Sequence, residues 1–256
     1  MAIIIKSPKE IELLRVSGKH LSLVLDEVEK AVRPGISTKE LDEIAQKAVL
    51  KMGDIAPFLN YQPYGADFPY PGAICLSVND EIVHGLPKEN RILKEGDIIG
   101  LDMGVAHKKM ITDSARTVAV GNVSEKVQKL MDITKQALVI GIAAAKVGAH
   151  VGDIGYAIEQ FVRPYKYGIV RELGGHGVGR EVHEDPYIPN FGTKKGIGAK
   201  LKPGMVIAIE PMLNEGKRGI ILDKDGYTYR TADRLLSAHF EHTVLITKEG
   251  PEVLTR

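Results

Sequence analysis

The chain has 256 residues, 44% hydrophobic and 26% charged, which is enough to close a full core in one large domain or two small ones. Lysine plus arginine number 34 against 33 acids, a formal net charge of +1, so no whole-molecule field draws the chain to nucleic acid or to an acidic membrane. The single cysteine, Cys75, has no partner for an intramolecular disulfide, which fits a reducing compartment.

At the N-terminus the apolar run before Lys6 and Ser7 is too short for a signal-peptide core or a membrane span. Ser7, Pro8 and Glu10 then form a helix start: a hydroxyl at the cap, proline at the first helical position and the capping-box acid. Ile11, Leu14, Leu21, Leu25, Val28 and Val32 hold one face of that helix. After RPGIS, Ser37 and Glu40 repeat the box ahead of Leu41, Ile44, Ala45, Ala48 and Val49, so a helical hairpin is predicted. The runs ICLSV, DIIGLDMGV and ITDSARTVAV, bounded by Gly, Pro and Asn, are predicted strands.

The order then restarts. Val127 to Val147 is apolar at helical period, GAHVGDIGYAIEQFV forms a shorter helix, and strands are predicted at MVIAIEPML, GYTYRT and AHFEHTVLIT. Placing Gly35 on Gly148 sets Val32 on Ala145, Leu41 on Ile154 and Val49 on Val162. The reading is a mixed α/β (α+β) chain, a single domain over 1–256 with related halves of about 1–120 and 121–256. A cleft between two such halves is the place to look for chemistry. The segment GTKKGIGAKLKPG is a surface loop with solvated lysines.

Acids and histidines concentrate in four places: VHGLP at His84, LDMGVAHKKMITDSA at Asp102 and Asp113, GGHGVGREVHEDP at His176 and His183, and AIEPM with FEHTV at Glu210 and Glu241. Glu210, Glu241 and Asp102 fall inside otherwise apolar strands, where an unpartnered acid costs several kcal/mol. For any one of them an ion pair or a polar strand face is the commoner arrangement. Three such strands, with Asp113 and the glycine-flanked His176, point to a metal. One imidazole and four carboxylates without a thiolate suit Mn(II), Fe(II) or Co(II) rather than structural zinc, and five ligands are best shared by two ions. His20, His107, His150, His239 and His242 are given no role. His242 faces away from Glu241 by strand alternation. No G-x-S-x-G elbow is present, and GGHGVG lacks the spacing of a dinucleotide site.

The spaced segments SVNDEIVHGLP, DIIGLDMG, ITDSART, GGHGVGREVHEDP, MVIAIEPML and SAHFEHTVLIT resemble the type I methionine aminopeptidases of peptidase family M24. That resemblance implies the pita-bread fold, two pseudo-symmetric helix-helix-strand halves around a central antiparallel sheet. It implies two divalent ions (Mn, Fe, Co or Zn), with Asp102 on one, His176 and Glu210 on the other, and Asp113 and Glu241 bridging. It further implies Glu210 as proton shuttle, His84 and His183 as catalytic and substrate-binding donors, and Cys75 and Tyr227 at the substrate pocket. The partners implied are nascent polypeptide N-termini in the cytoplasm, with transient ribosome association, a monomeric enzyme, and no direct nucleic-acid or membrane partner.

The same resemblance marks departures. Tyr227 stands where these enzymes commonly carry tryptophan, Val182 where an aromatic is frequent, and the stretch PFLNYQPYGADFPYPGAIC is longer than expected, so no pocket roles are assigned to Phe58, Tyr61 or Tyr70. An X-Pro aminopeptidase or prolidase shares the fold and would suit LDMG and GHGVGREVHE, but usually carries a further N-terminal domain. A binding relative that has lost catalysis typically lacks metal ligands, and none is missing here.

Overall fold

The computed structural model describes residues 2–63 and 65–256. In chain order it contains α1 (Pro8–Ala31), α2 (Thr38–Lys51), β1 (Cys75–Val78), β2 (Glu81–Val83), β3 (Ile98–His107), β4 (Met110–Ala119), α3 (Glu125–Ala144) and α4 (Val151–Val162). After a 3-10 turn at Arg163–Tyr165 come β5 (Gly168–Ile169), β6 (Gly175–Gly177), β7 (Glu184–Ile188), β8 (Val206–Ile209), β9 (Met212–Asn214), β10 (Ile220–Leu222), β11 (Tyr229–Thr231), β12 (Ser237–His239), β13 (Glu241–Thr247) and β14 (Gly250–Val253).

The helix starts follow from their caps. Ser7 and Ser37 each accept from the backbone N–H three residues on, while Glu10 and Glu40 reach back to the cap N–H at 2.8 Å in both helices. Each reciprocal pair satisfies two otherwise orphaned donors. In the second half the offset that sets Gly35 on Gly148 also sets Ser37 on His150 and Glu40 on Asp153. There the His150 N–H donates to the Asp153 carboxylate at 2.7 Å. Gly35 and Gly148 share the same left-handed φ of 87°, and their N–H groups donate to Leu93 and Leu201 respectively. A side chain at either position would be strained, so glycine is required at both helix approaches.

The main sheet runs β1-β3-β4-β13-β8-β6-β7 with β14 on the side of β13, and every registered pairing in it is antiparallel. Strand alternation divides its two faces. Ile99, Leu101 and Met103 of β3 pack with Leu21, Leu25 and Leu41 of α1 and α2. Ile207 and Ile209 of β8 and Val244 and Ile246 of β13 pack with Leu138, Ile154 and Ile158 of α3 and α4. Each half thus has its own core on the helix side, where a fully buried leucine contributes roughly 1.5–3 kcal/mol. The intervening residues, Asp102 among them, face the other way.

Two predicted strands are divided. MVIAIEPML breaks after Ile209, leaving Glu210 and Pro211 between β8 and β9, and AHFEHTVLIT breaks at Phe240 between β12 and β13. Pro211 has no N–H for a ladder, and the chain passes to a separate three-stranded sheet, β12-β9-β5. Both glutamates therefore sit at strand ends rather than in strand middles.

Candidate active site

The face of the sheet opposite the helices carries the acids. Cys75 on β1 registers with Asp102 on β3, Asp102 with Ala115 on β4, and Ala115 with Glu241 on β13. One rung thus crosses four strands with its side chains on one face, and Asp113 lies two residues from Ala115 on that same face. Glu210 follows Ile209, which registers with His242, so it comes level with Glu241.

β6 brings His176 to the group, and its flanking glycines make this feasible. A Cβ on Gly175 would lie 2.2 Å from the Ala208 carbonyl, and one on Gly177 2.3 Å from that of Asp185. At the end of β2, His84 adopts a left-handed φ of 60°, unusual for a residue with a Cβ.

All nine residues singled out from the sequence line one cavity of about 180 Å³: Cys75, His84, Asp102, Asp113, His176, His183, Glu210, Tyr227 and Glu241. Phe58, Tyr61, Tyr70 and Val182 are among the other residues of its wall. A wider surface groove of about 750 Å³ between α1 and the β13–β14 hairpin holds the Arg15–Glu252 ion pair and no histidine.

Burial and mutual repulsion dominate the electrostatics. Burial first, then the negative charges of Asp113 and Glu210, raises the Asp102 carboxyl well above its usual range. Burial raises Asp113, burial and then Asp113 raise Glu210, and burial followed by all three other acids raises Glu241. The histidines go the other way: burial, then the neighbouring His183, lowers His84 to about 4 and His176 to about 3.

Four acids and neutral imidazoles in one buried cavity call for cations. Asp113 Oδ1 and Glu241 Oε1 are buried and have no hydrogen-bond partner among the described residues. His176 Nδ1–H donates to the Gly177 carbonyl at 2.8 Å, which leaves an Nε2 lone pair 3.6 Å from Glu210 Oε1. Such a backbone bond fixes the tautomer a metal ligand needs. Ligand atoms of Asp113, His176 and Glu241 lie within 4.8 Å of one another, and Asp102 and Glu210 flank that trio in the same cavity. The donor set fits divalent ions of the harder transition metals.

A model of metallopeptidase family M24 matches residues 12–248. The methionine aminopeptidase of Aquifex aeolicus is 46% identical over 258 residues, covering 100% of this chain and 99% of that protein. The chain belongs to metallopeptidase family M24, on its methionine aminopeptidase branch. The crystal structure of methionine aminopeptidase from Rickettsia prowazekii superposes with a TM-score of 0.94 at 37% identity, covering 100% of both chains. The prolidase from Pyrococcus furiosus matches less well, at TM-score 0.76 and 25% identity over 65% of its length. The mixed α/β pita-bread fold of M24 is thus the fold of this chain.

Two features of this site, and one group of side chains outside it, were missed in the sequence. His239 Nε2 is buried without a hydrogen-bond partner among the described residues, 3.8 Å from Glu210 Oε2 and 4.0 Å from Glu241 Oε2. Its place two residues before Glu241 is the parity signal that could have found it. The Tyr61 hydroxyl lies 3.1 Å from His183 Nδ1, a contact across a long loop that has no local signature. His20 and His107, given no role, both meet Asp54. His242 does face away from the acids, to Thr255.

Proposed function

We propose that this protein hydrolyses the peptide bond after an N-terminal methionine when the next residue is small, as one catalytic unit spanning residues 1–256 with halves of about 1–120 and 121–256. The observation that carries this reading is the pair of orphaned buried oxygens, Asp113 Oδ1 and Glu241 Oε1, beside the free lone pair of His176. Asp102, Asp113, His176, Glu210 and Glu241 would hold two divalent ions, of manganese, iron, cobalt or zinc. Asp102 would serve one, His176 and Glu210 the other, and Asp113 and Glu241 both. When bound there, the ions would acidify water and polarise the scissile carbonyl.

The chain's own groups do the rest. Glu210, whose carboxyl is raised by burial, takes a proton from water and passes it to the leaving amine. His84 is neutral, because burial holds it at about 4, and so offers a ring N–H to the substrate without bringing a charge. The Tyr61 phenol, raised above its usual range by burial, stays protonated and lies 3.1 Å from His183 Nδ1, to which it can donate. The ring proton of His183 then resides on Nε2, where it serves as a donor to the developing oxyanion. Tyr70, Cys75 and Tyr227 form the apolar wall for the methionine side chain, since a flexible thioether packs well against aromatic rings.

A substrate of this class, newly made chains that begin with methionine as they leave the ribosome, supports a cytoplasmic reaction, and contact with that particle would be transient. Among the described residues no helix is long and apolar enough to cross a membrane.

The test is a rate comparison on Met-Ala-Ser and on a tripeptide with proline second, using protein loaded with Mn(II), Fe(II) or Co(II). Preferential cleavage of Met-Ala-Ser supports the reading, whereas preference for the proline peptide selects the X-Pro alternative. Elemental analysis of the loaded protein counts the ions directly.

A further inference from the structure

A second group of ligand-type side chains lies outside the acid-lined cavity. Asp54, just after α2, has a side chain only 1% exposed, yet its carboxylate meets two imidazoles. His20 Nδ1, from α1, lies 2.6 Å from Oδ2, and His107 Nδ1, at the end of β3, lies 2.7 Å from Oδ1. The two rings meet edge to face with centroids 5.4 Å apart, and ligand atoms of all three residues fall within 4.8 Å of one another.

Each ligand is held by its own backbone anchor. Ile55 and Ala106 exchange two backbone hydrogen bonds, at 3.2 and 2.8 Å, which locks Asp54 beside His107. One turn before His20, the Ser17 hydroxyl donates to the Val105 carbonyl at 2.8 Å, which sets the rotation of α1 against β3. Three chain segments distant in sequence thus converge on one point with little freedom left to lose. Such preorganisation is what a metal site requires of its scaffold. The site is closed by Asp54 on the inside and open on the outside, where the His20 and His107 side chains are 26% and 17% exposed, so water can complete a coordination shell.

We infer that His20, Asp54 and His107 form a binding site for one borderline transition-metal dication, zinc being the best fit, separate from the site of hydrolysis. Two imidazole nitrogens and one carboxylate oxygen are a softer donor set than the acid-rich cavity offers, and imidazole suits zinc, nickel and copper. Each ring offers its Nδ1 lone pair to the ion in the tautomer that carries the ring proton on Nε2. The ion would tie α1 to the β3–β4 hairpin and the segment after α2. Because the unfolded chain does not hold these groups together, binding stabilises the folded state by mass action.

The experiment compares the full-length protein with His20→Gln/His107→Gln, both dialysed against Zn(II) and assayed for bound zinc by elemental analysis. The expected result is one zinc per chain fewer in the variant, a zinc-dependent rise in Tm present only in the natural protein, and equal hydrolysis of Met-Ala-Ser by both. Equal zinc content in the two proteins would overturn the proposal and leave a hydrogen-bonded triad. Should the double variant fail to fold, nitrogen-15 shifts of the natural protein's histidines decide the matter. Zinc-induced movement of the Nδ1 resonances of His20 and His107 supports the site, and unchanged Nδ1–H signals refute it.

Discussion

Asp113 and Thr243 are joined by two hydrogen bonds: the Asp113 N–H donates to the Thr243 hydroxyl at 2.8 Å, and that hydroxyl donates to the Asp113 carbonyl at 2.7 Å. The contact spans the seam where β4 meets β13, which carries only two registered pairs, Glu241 with Ala115 and His242 with Ser114. Ser114 and Thr117 supplement it by donating to the carbonyls of Glu241 and His239, at 2.8 and 2.9 Å. Side-chain hydroxyls therefore set the distance between Asp113 and Glu241, the two acids assigned to both ions. Thr243→Val keeps the shape and removes both bonds, and a buried amide and carbonyl left unpaired cost about 1–3 kcal/mol. Urea unfolding should show that loss, accompanied by weaker metal retention, and Thr243→Ser should recover most of each. Full activity and stability in Thr243→Val would mean that the seam is held by packing alone.

The ligand assignment separates residues by metal content. Asp113→Asn and Glu241→Gln should lose metal and activity together, because each removes a charge from an acid assigned to both ions. Glu210→Gln should lose turnover more than affinity for free methionine, since it gives up a proton carrier as well as a ligand. His84→Ala should keep its metal and turn over slowly, by roughly 10²-fold or more, as expected for a lost proton donor. Elemental analysis that found His84→Ala stripped while Asp113→Asn stayed loaded would reverse the assignment.

Much of the architecture was readable because it rests on local chemistry. The capping boxes at Ser7 and Ser37 mark both helix starts in the first half, and the short spacing between Asp102 and Asp113 anticipates the β3–β4 hairpin. Buried acids in apolar runs likewise announced the site, because such residues need a cation wherever the chain goes. Pro211, which cannot donate to a ladder, was a visible sign of the break after Ile209, whereas the strand break at Phe240 was not readable. An apolar run satisfies a buried strand and a buried bend equally well, so hydropathy does not reveal where the chain changes sheets. Nor was the meeting of Asp54 with His20 and His107, which depends on the packing of α1 against β3. His239 stands between these cases: its parity with Glu241 was visible, but which face was buried against the acids was not.

Tyr61 tests the role given to His183. Tyr61→Phe keeps the ring and removes the hydroxyl 3.1 Å from Nδ1, so the imidazole is free to carry its proton on either nitrogen. The expected outcome is a several-fold lower kcat with KM little changed and with metal content intact. Nitrogen-15 spectra should show His183 passing from one tautomer to a mixture. A variant that loses substrate affinity at constant kcat would instead make Tyr61 a wall of the pocket.

Tyr227, the residue to which the proposed pocket assigns specificity, is 7% exposed and stands edge-on to Phe68 and Tyr70, with centroids 5.1 and 5.3 Å away. Its hydroxyl donates to the Phe68 carbonyl, so the polar end is satisfied within the protein and the ring is left as an apolar surface beside Cys75. Val182 lines the same cavity with a small side chain. A pocket walled by tyrosine and valine has more room than one walled by tryptophan and a second aromatic ring. It should still prefer methionine, whose thioether gains from contact with the rings. Its rejection of leucine or phenylalanine should be modest, because one or two methylenes alter transition-state binding by only about 1–3 kcal/mol. Tyr227→Trp should fill that room, raising the ratio of kcat/KM for Met-Ala over Phe-Ala several-fold while an indole N–H replaces the hydroxyl as donor to Phe68. Rates on Met-Ala, Leu-Ala, Phe-Ala and Met-Leu peptides for both proteins provide the measurement. If every ratio stayed the same in Tyr227→Trp, the methionine side chain would have to lie elsewhere in the cavity, with Tyr61 and Phe58 the next walls to change.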